Sequence, residues 1–207
     1  MAKTAGGLSA LPAMLAVAAV AGCGGKGGNS AGQSASGIPA ELPAQLFPDD
    51  FKGVCSGASA SAASAYDAAG KAHKALYFAT YKDDMSDHSS SLPADWTVQY
   101  AARGDPFKAI DLVVCARRTA AREVRVCDKY QKDGKPSQNK IRWHTATYEL
   151  TLREAKTGRQ LDRKSVEATD TECPMLIFTS DSEGTVDDYA SLSNTAVTDF
   201  LRPHMGH

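Results

Sequence analysis

The sequence predicts an α+β domain: an antiparallel sheet of four or more strands, a C-terminal amphipathic helix packed on one face, and disulfide staples. Three observations carry that prediction. Segments such as Ala75–Tyr81 and residues 123–127 and 141–154 are dense in aromatic and β-branched residues or alternate apolar with polar, the period-two signature of strands. One stripe at helical spacing closes the chain, through Val186, Tyr189, Leu192, Ala196, Val197, Phe200 and Leu201, and stops at Pro203. Strands grouped ahead of a single late helix segregate rather than alternate, which is the α+β pattern.

At the start, Lys3 precedes an uncharged apolar run over residues 8–21 that ends in small side chains, the layout of a secretory signal peptide over residues 1–22. The run is about 14 residues long, short of the roughly 20 that a spanning helix needs, and it contains Pro12. Val20-Ala21-Gly22-Cys23 resembles the lipobox of bacterial lipoproteins. The resemblance implies a diacylglycerol thioether on Cys23, cleavage before it and fatty acylation, such as palmitate, of the new amino terminus. The competing reading is a chance cysteine after an ordinary signal. Two or three acyl chains hold a protein stably on a bilayer, so the expected location is the extracytoplasmic face of a cell membrane. Residues 23–37 are almost wholly Gly, Ser, Ala, Asn and Gln and form a lipidated flexible tether, with a reach of roughly 20 Å. Residues 38–207 then form one extracytoplasmic domain.

Within that domain, Pro39, Pro43 and Pro48 punctuate an extended or short-helical lead-in. The Ala/Ser-rich segment 56–74 fits either a helix, by propensity, or an ordered coil pinned by Cys55. After the aromatic strand Ala75–Tyr81 comes a polar loop, and Trp96 re-enters as a core anchor, with a short strand expected over residues 96–101. Residues 110–116 and 123–127 read as two strands of a hairpin centred on Ala121, which sets Cys115 opposite Cys127. Asp133-Gly134 marks a turn. The longest strand covers residues 141–154, with Ala146, Tyr148, Leu150 and Leu152 on one face and Trp143, Thr145, Thr147 and Thr151 on the other. Gly158 supplies the positive φ of a bulged hairpin loop, and residues 160–169 return as its partner. Thr185, with Asp188 three residues on, is the expected helix cap.

With Cys23 in lipid, Cys55, Cys115, Cys127 and Cys173 remain, an even number that suits two disulfides in an oxidising compartment. The hairpin register pairs Cys115 with Cys127, since facing residues bring Cβ atoms to about 4.5–5.5 Å, and leaves Cys55 for Cys173. Arg117 facing Arg125 opposes that register mildly. A zinc site would bring cysteines within C-x₂₋₄-C spacing, and none of these are so close.

Lys and Arg total 23 against 24 Asp and Glu, a formal net charge of −1, which excludes the basic footprint of a nucleic-acid binder. No metal or cofactor is expected. His204 and His207 stand together only at the terminus, and His144 reads as packed or surface. Asp83, Asp84, Asp87 and His88, and then Asp181, Glu183, Asp187 and Asp188, are acidic clusters without calcium-loop spacing. There is no G-x-S-x-G elbow, and Ser89-Ser90-Ser91 beside His88 reads as loop.

Cys55-Ser56-Gly57, Leu92-Pro93-Ala94-Asp95-Trp96, Leu112-Val113-Val114-Cys115, Val126-Cys127-Asp128, Lys156-Thr157-Gly158 and Cys173-Pro174 together resemble small lipoproteins of high-GC bacteria. The resemblance spans most of the mature domain and implies no activity. The expected function is that of a lipid-anchored cell-envelope protein with a non-catalytic binding or interaction domain, its partner an envelope protein or cell-wall component. A small-molecule-binding accessory lipoprotein is the first alternative. An envelope hydrolase using His73 or His144 is the second.

Overall fold

A computed structural model describes residues 45–206 apart from 71, 102, 133 and 177–183. Cys23, the signal peptide, the tether and the domain boundary near residue 38 therefore lie outside the described residues. In chain order the strands are β1 (Ala75–Tyr81), β2 (Asp84–Asp87), β3 (Leu112–Cys127), β4 (Gln131–Lys132), β5 (Lys135–Pro136), β6 (Lys140–Glu154), β7 (Gln160–Ala168) and β8 (Thr185–Tyr189), and the helix α1 (Asn194–Leu201) follows. Among the described residues six strands form one sheet in the order β2-β1-β3-β6-β7, with β8 also on β6, while β4 and β5 make a separate two-stranded ribbon.

The sheet is mixed, not purely antiparallel. β1 runs parallel to β3 and β8 parallel to β6, and the remaining pairs are antiparallel. A parallel pair needs a crossover rather than a tight turn, and the coil of residues 88–111 supplies it between β1 and β3. Asp111 fixes where that pairing begins: its N–H and that of Leu112 both donate to the Lys74 carbonyl, each at 3.1 Å.

Both faces of the sheet are covered around β1 and the first half of β3. On one face Tyr77, Val114, Tyr148 and Leu150 pack with Trp96 and with Val197, Phe200 and Leu201 of α1. On the other, Leu76, Phe78, Val113 and Cys115 pack with Phe51, Val54, Ala60, Ala63 and Phe107. Double burial explains why residues 75–79 and 112–116 read as unbroken apolar runs instead of alternating. Each fully buried Phe or Leu, such as Phe78 or Leu150, contributes roughly 1.5–3 kcal/mol.

Three expectations change. The hairpin centred on Ala121 does not form, because no Gly, Pro, Asn or Asp lies between Ala116 and Glu123 to turn the chain. β3 continues instead as one strand of 16 residues, paired with β6 from Leu112↔Glu154 to Cys127↔Ile141, and absorbs the mismatch in irregularities at Arg118/Ala120 and Glu123/Arg125. Cys115 and Cys127 then sit at separate places along one strand, about 40 Å apart at ~3.3 Å per residue. The four cysteines form two bridges with other partners, Cys55–Cys115 and Cys127–Cys173, with Cα atoms 5.6 and 5.8 Å apart. The C-terminal helix is also shorter than the stripe suggested, since Thr185–Tyr189 is a strand. α1 starts only after Ser193, whose hydroxyl accepts from the Ala196 N–H at 3.1 Å.

The described residues of 57–74 take the ordered-coil form, residues 96–101 form no strand, and the lead-in supplies a 3₁₀ helix at Pro48–Ser56. Gly158 does take a positive φ, 72°, where a Cβ would lie 2.4 Å from the Ala58 carbonyl oxygen. Two disulfides are the mark of an oxidising compartment, and among the described residues no helix is long and apolar enough to cross a membrane.

Non-reducing peptide mapping is expected to recover Cys55 linked to Cys115 and Cys127 linked to Cys173. Replacing Cys55 and Cys115 together by Ser should cost about 2–5 kcal/mol in chemical denaturation; a Cys115–Cys127 peptide would contradict the continuous strand.

Candidate functional site

Beyond Ala79↔Ala116 the sheet changes character. Lys82 turns β1 into β2 with φ at 52°, and the Thr80 hydroxyl closes the last rung by donating to the Ala116 carbonyl at 3.3 Å and accepting from the Arg118 N–H at 3.0 Å. The space left where β1 departs is a cleft of about 390 Å³, with Tyr81, Lys82, Arg118, Trp143, Tyr148 and Tyr189 among its walls. β8 builds the far wall because it pairs in parallel with β6, setting Tyr189 against His144.

The polar groups here are engaged with one another. The Arg118 guanidinium lies over the Tyr189 ring at 3.5 Å and donates to the Lys82 carbonyl at 2.8 Å. Tyr189 stacks in turn on His144, ring centres 4.9 Å apart. Asp187 accepts from His144 Nε2 at 2.8 Å through one oxygen and from Arg142 at 2.7 Å through the other. The Tyr148 hydroxyl donates to the Ala190 carbonyl at 3.1 Å; burial pushes its pKa up, against the pull of Arg118 nearby. Each wall is thus held in place by another.

A second, more open depression of about 490 Å³ adjoins the cleft, with Pro174 in the walls of both. It surrounds the Cys127–Cys173 bridge and includes Arg125, Val126, Tyr130 and Met175. Large apolar side chains stand exposed around the pair: Tyr81 at 53%, Val126 at 50%, Met175 at 91% and Leu176 at 75%. A third depression, over Ala120, Ala121, Thr145, Thr147 and Ala168, is formed mainly by small side chains.

The chain matches no family model, curated protein or solved structure.

The residues singled out in the sequence fall into separate places. His73 is buried, 5% exposed, with Nδ1 2.5 Å from Asp111 Oδ2; the second Asp111 oxygen accepts from the Lys74 N–H at 3.0 Å, and Tyr66 packs on the imidazole at 4.7 Å. This pair ties the coil ahead of β1 to the start of β3. His144 meets Asp187 beside the cleft, and His88 reaches the cleft wall from the β2 side. His204 bonds Asp162 at 3.1 Å, and His207 lies outside the described residues.

The acidic clusters do not converge. Asp84 and Asp87 accept from the nearby N–H groups of Met85 and Ser89, and Asp188 from Tyr189, while Asp181 and Glu183 lie outside the described residues. Among the described residues no three His, Cys, Asp or Glu side chains gather as a metal would require. Ser89 is a structural residue, its hydroxyl accepting from the Tyr77 N–H at 2.9 Å. The sequence reading missed Arg118 and Tyr189, whose meeting depends on the β6–β8 pairing.

Two measurements probe these networks. Asp111→Ala removes both buried bonds and should cost about 3 kcal/mol in a urea melt. The hydrogen bond from His144, helped by Arg142 and opposed by burial, holds the Asp187 carboxyl below the usual carboxylate range. A depressed carboxyl adds stability above its unfolded value of about 3.9 and loses it as pH falls through the folded value. Asp187→Asn should therefore lower the unfolding free energy at pH 7, by less than about 1 kcal/mol for so exposed a pair, and match the parent near pH 2. An equal offset at both pH values would contradict this.

Proposed function

We propose that this chain is a lipid-anchored protein of the cell envelope whose domain binds a partner without performing chemistry on it, through the cleft and the depression beside it. The observation that carries the reading is the exposed apolar rim, Tyr81, Val126, Met175 and Leu176, around two depressions joined at Pro174. Aromatic and Met side chains grouped about a pocket are the composition of an interface centre. Inside it, the Arg118–Tyr189 stack offers a cation and a π-face at a fixed separation. The engaged state of His144, Asp187 and Arg142 suits a wall that must hold its shape.

The anchor is Cys23, on the resemblance of residues 20–23 to a lipobox, and the two disulfides suit the extracytoplasmic side. A second reading, a small-molecule-binding accessory lipoprotein, is favoured by the cleft volume of about 390 Å³, which falls within the usual range for ligand sites.

The test is a photo-crosslinking residue at Leu176 in the full chain, expressed in the native cells. One discrete adduct is expected, reduced at least tenfold by Tyr189→Ala, and Cys23→Ser should move the chain from the membrane to the soluble fraction. Absence of any adduct, with a small molecule retained in native mass spectrometry, would favour the second reading. Undiminished membrane association of the Cys23→Ser chain would overturn the anchor.

A further inference from the structure

β3 carries a feature that the cleft alone does not use. Its edge facing β1 is paired from Leu112 to Ala116, with the Arg118 N–H still taken by the Thr80 hydroxyl, and from Thr119 to Val126 no described strand lies against it. Residues 119–123, 125 and 126 are exposed, including the neighbours Ala120 and Ala121, which point to opposite faces of a strand, so among the described residues this stretch of β3 is open along its edge and lightly covered on both sides. An edge of this kind presents a row of backbone donors and acceptors to another chain.

Its two ends meet the two depressions, Arg118 in the cleft wall and Arg125 and Val126 in the wall of the second. A strand of about eight residues, roughly 26 Å at ~3.3 Å per residue, spans the interval.

Charge selects the occupant. Arg117, Arg118, Arg122 and Arg125 stand on this half of the strand against Glu123 alone. Among the described residues neither Arg122 nor Arg125 has an ion-pair partner. A second copy laid along the same edge would bring one net-positive strand, four arginines to one glutamate, against another, and like-charge juxtaposition disfavours that pairing. The chain's own residues 1–44 hold only one acidic residue, Glu41, and offer no complementary segment.

We propose that the open edge of β3 from Thr119 to Val126 takes up an extended acidic segment of the partner as an added strand running between the two depressions. This rests on the binding reading above and names the chemistry of what binds. Backbone hydrogen bonds along the edge would supply affinity, and the arginines would choose acidic over basic sequences.

The probe is a fluorescein-labelled ten-residue peptide of alternating Glu and Val, measured by anisotropy against the Cys23→Ser full chain, so that the outcome is independent of the anchor. Binding in the micromolar to millimolar range is expected. It should weaken at least tenfold for the peptide N-methylated at alternate residues, which keeps the charge but removes backbone donors, and at least tenfold for Arg122→Glu/Arg125→Glu. Equal binding of the N-methylated peptide or of a Lys/Val peptide, or no binding of the Glu/Val peptide at 1 mM, would overturn the added strand. So would a dimer in sedimentation that the same arginine substitutions dissolve, since it would put a second copy on the edge. If Tyr189→Ala abolishes the cellular adduct while Arg122→Glu/Arg125→Glu leaves it intact, the cleft reading stands and the edge proposal fails.

Discussion

The structure depends on β3 remaining extended. Between Ala116 and Glu123 the chain has Arg117, Arg118, Thr119, Ala120, Ala121 and Arg122, none of which readily takes the positive φ of a tight hairpin turn. The strand therefore runs to Cys127, and β6 must accompany it for the whole length. From this follows the assignment of the bridges. Cys115 lies in the doubly covered half and can reach only what packs on that face, the 3₁₀ helix holding Cys55. Cys127 lies at the far end and ties down the return segment at Cys173. Each bridge fixes a connection that has little regular secondary structure of its own.

A second constraint sets where β3 is covered and where it is bare. Asp111 anchors the start of the β1–β3 pairing through its N–H and, with both carboxylate oxygens, through His73 and Lys74. Thr80 ends the same pairing by satisfying the Ala116 carbonyl and the Arg118 N–H with one hydroxyl. A side chain that stands in for a backbone rung lets β1 turn away without leaving buried polar groups unpaired. Five residues of β3, Leu112 to Ala116, are thus enclosed. Of the remainder, Arg118 lines the cleft and Arg125 to Cys127 the depression beside it.

The parts legible in the sequence are those fixed by local chemistry. β1 was readable at both ends from its aromatic run, β6 and β7 from alternation and Gly158, the anchor role of Trp96 from its size, and the buried residues of α1, Val197, Phe200 and Leu201, from the apolar stripe, whereas its start lies after Ser193 and not at Thr185. What stayed hidden depends on distant partners. Val186 and Tyr189, three apart, fit the helical spacing and not the period-two alternation of a strand, and only the pairing of Thr185–Tyr189 with residues 140–144 of β6 overrides it. The parallel β1–β3 pair left no mark beyond unbroken apolarity, which a buried antiparallel strand shows equally. Cysteine parity correctly indicated two bridges, but the connectivity followed from a turn that the residues 117–122 could not make. The cleft inherits both problems, since Arg118 was placed at a hairpin and Tyr189 on a helix.

The division of β3 also separates stability from recognition. Its first half makes the contacts that hold the two layers together and leaves no polar side chain exposed there. The stretch beyond Ala116 carries four of the chain's arginines and two register irregularities in place of apolar packing. Charges and bulges are common devices for keeping an edge from pairing with itself. Here they do not bury the edge, and with an added strand they would make it selective: its net positive charge would disfavour its own copy and favour an acidic strand, whose carboxylates would meet arginines carried on a rigid ladder. Because β6 fixes that ladder from the other side, such a strand would be added without ordering β3 anew, so the conformational entropy lost on binding would fall mainly on the incoming segment.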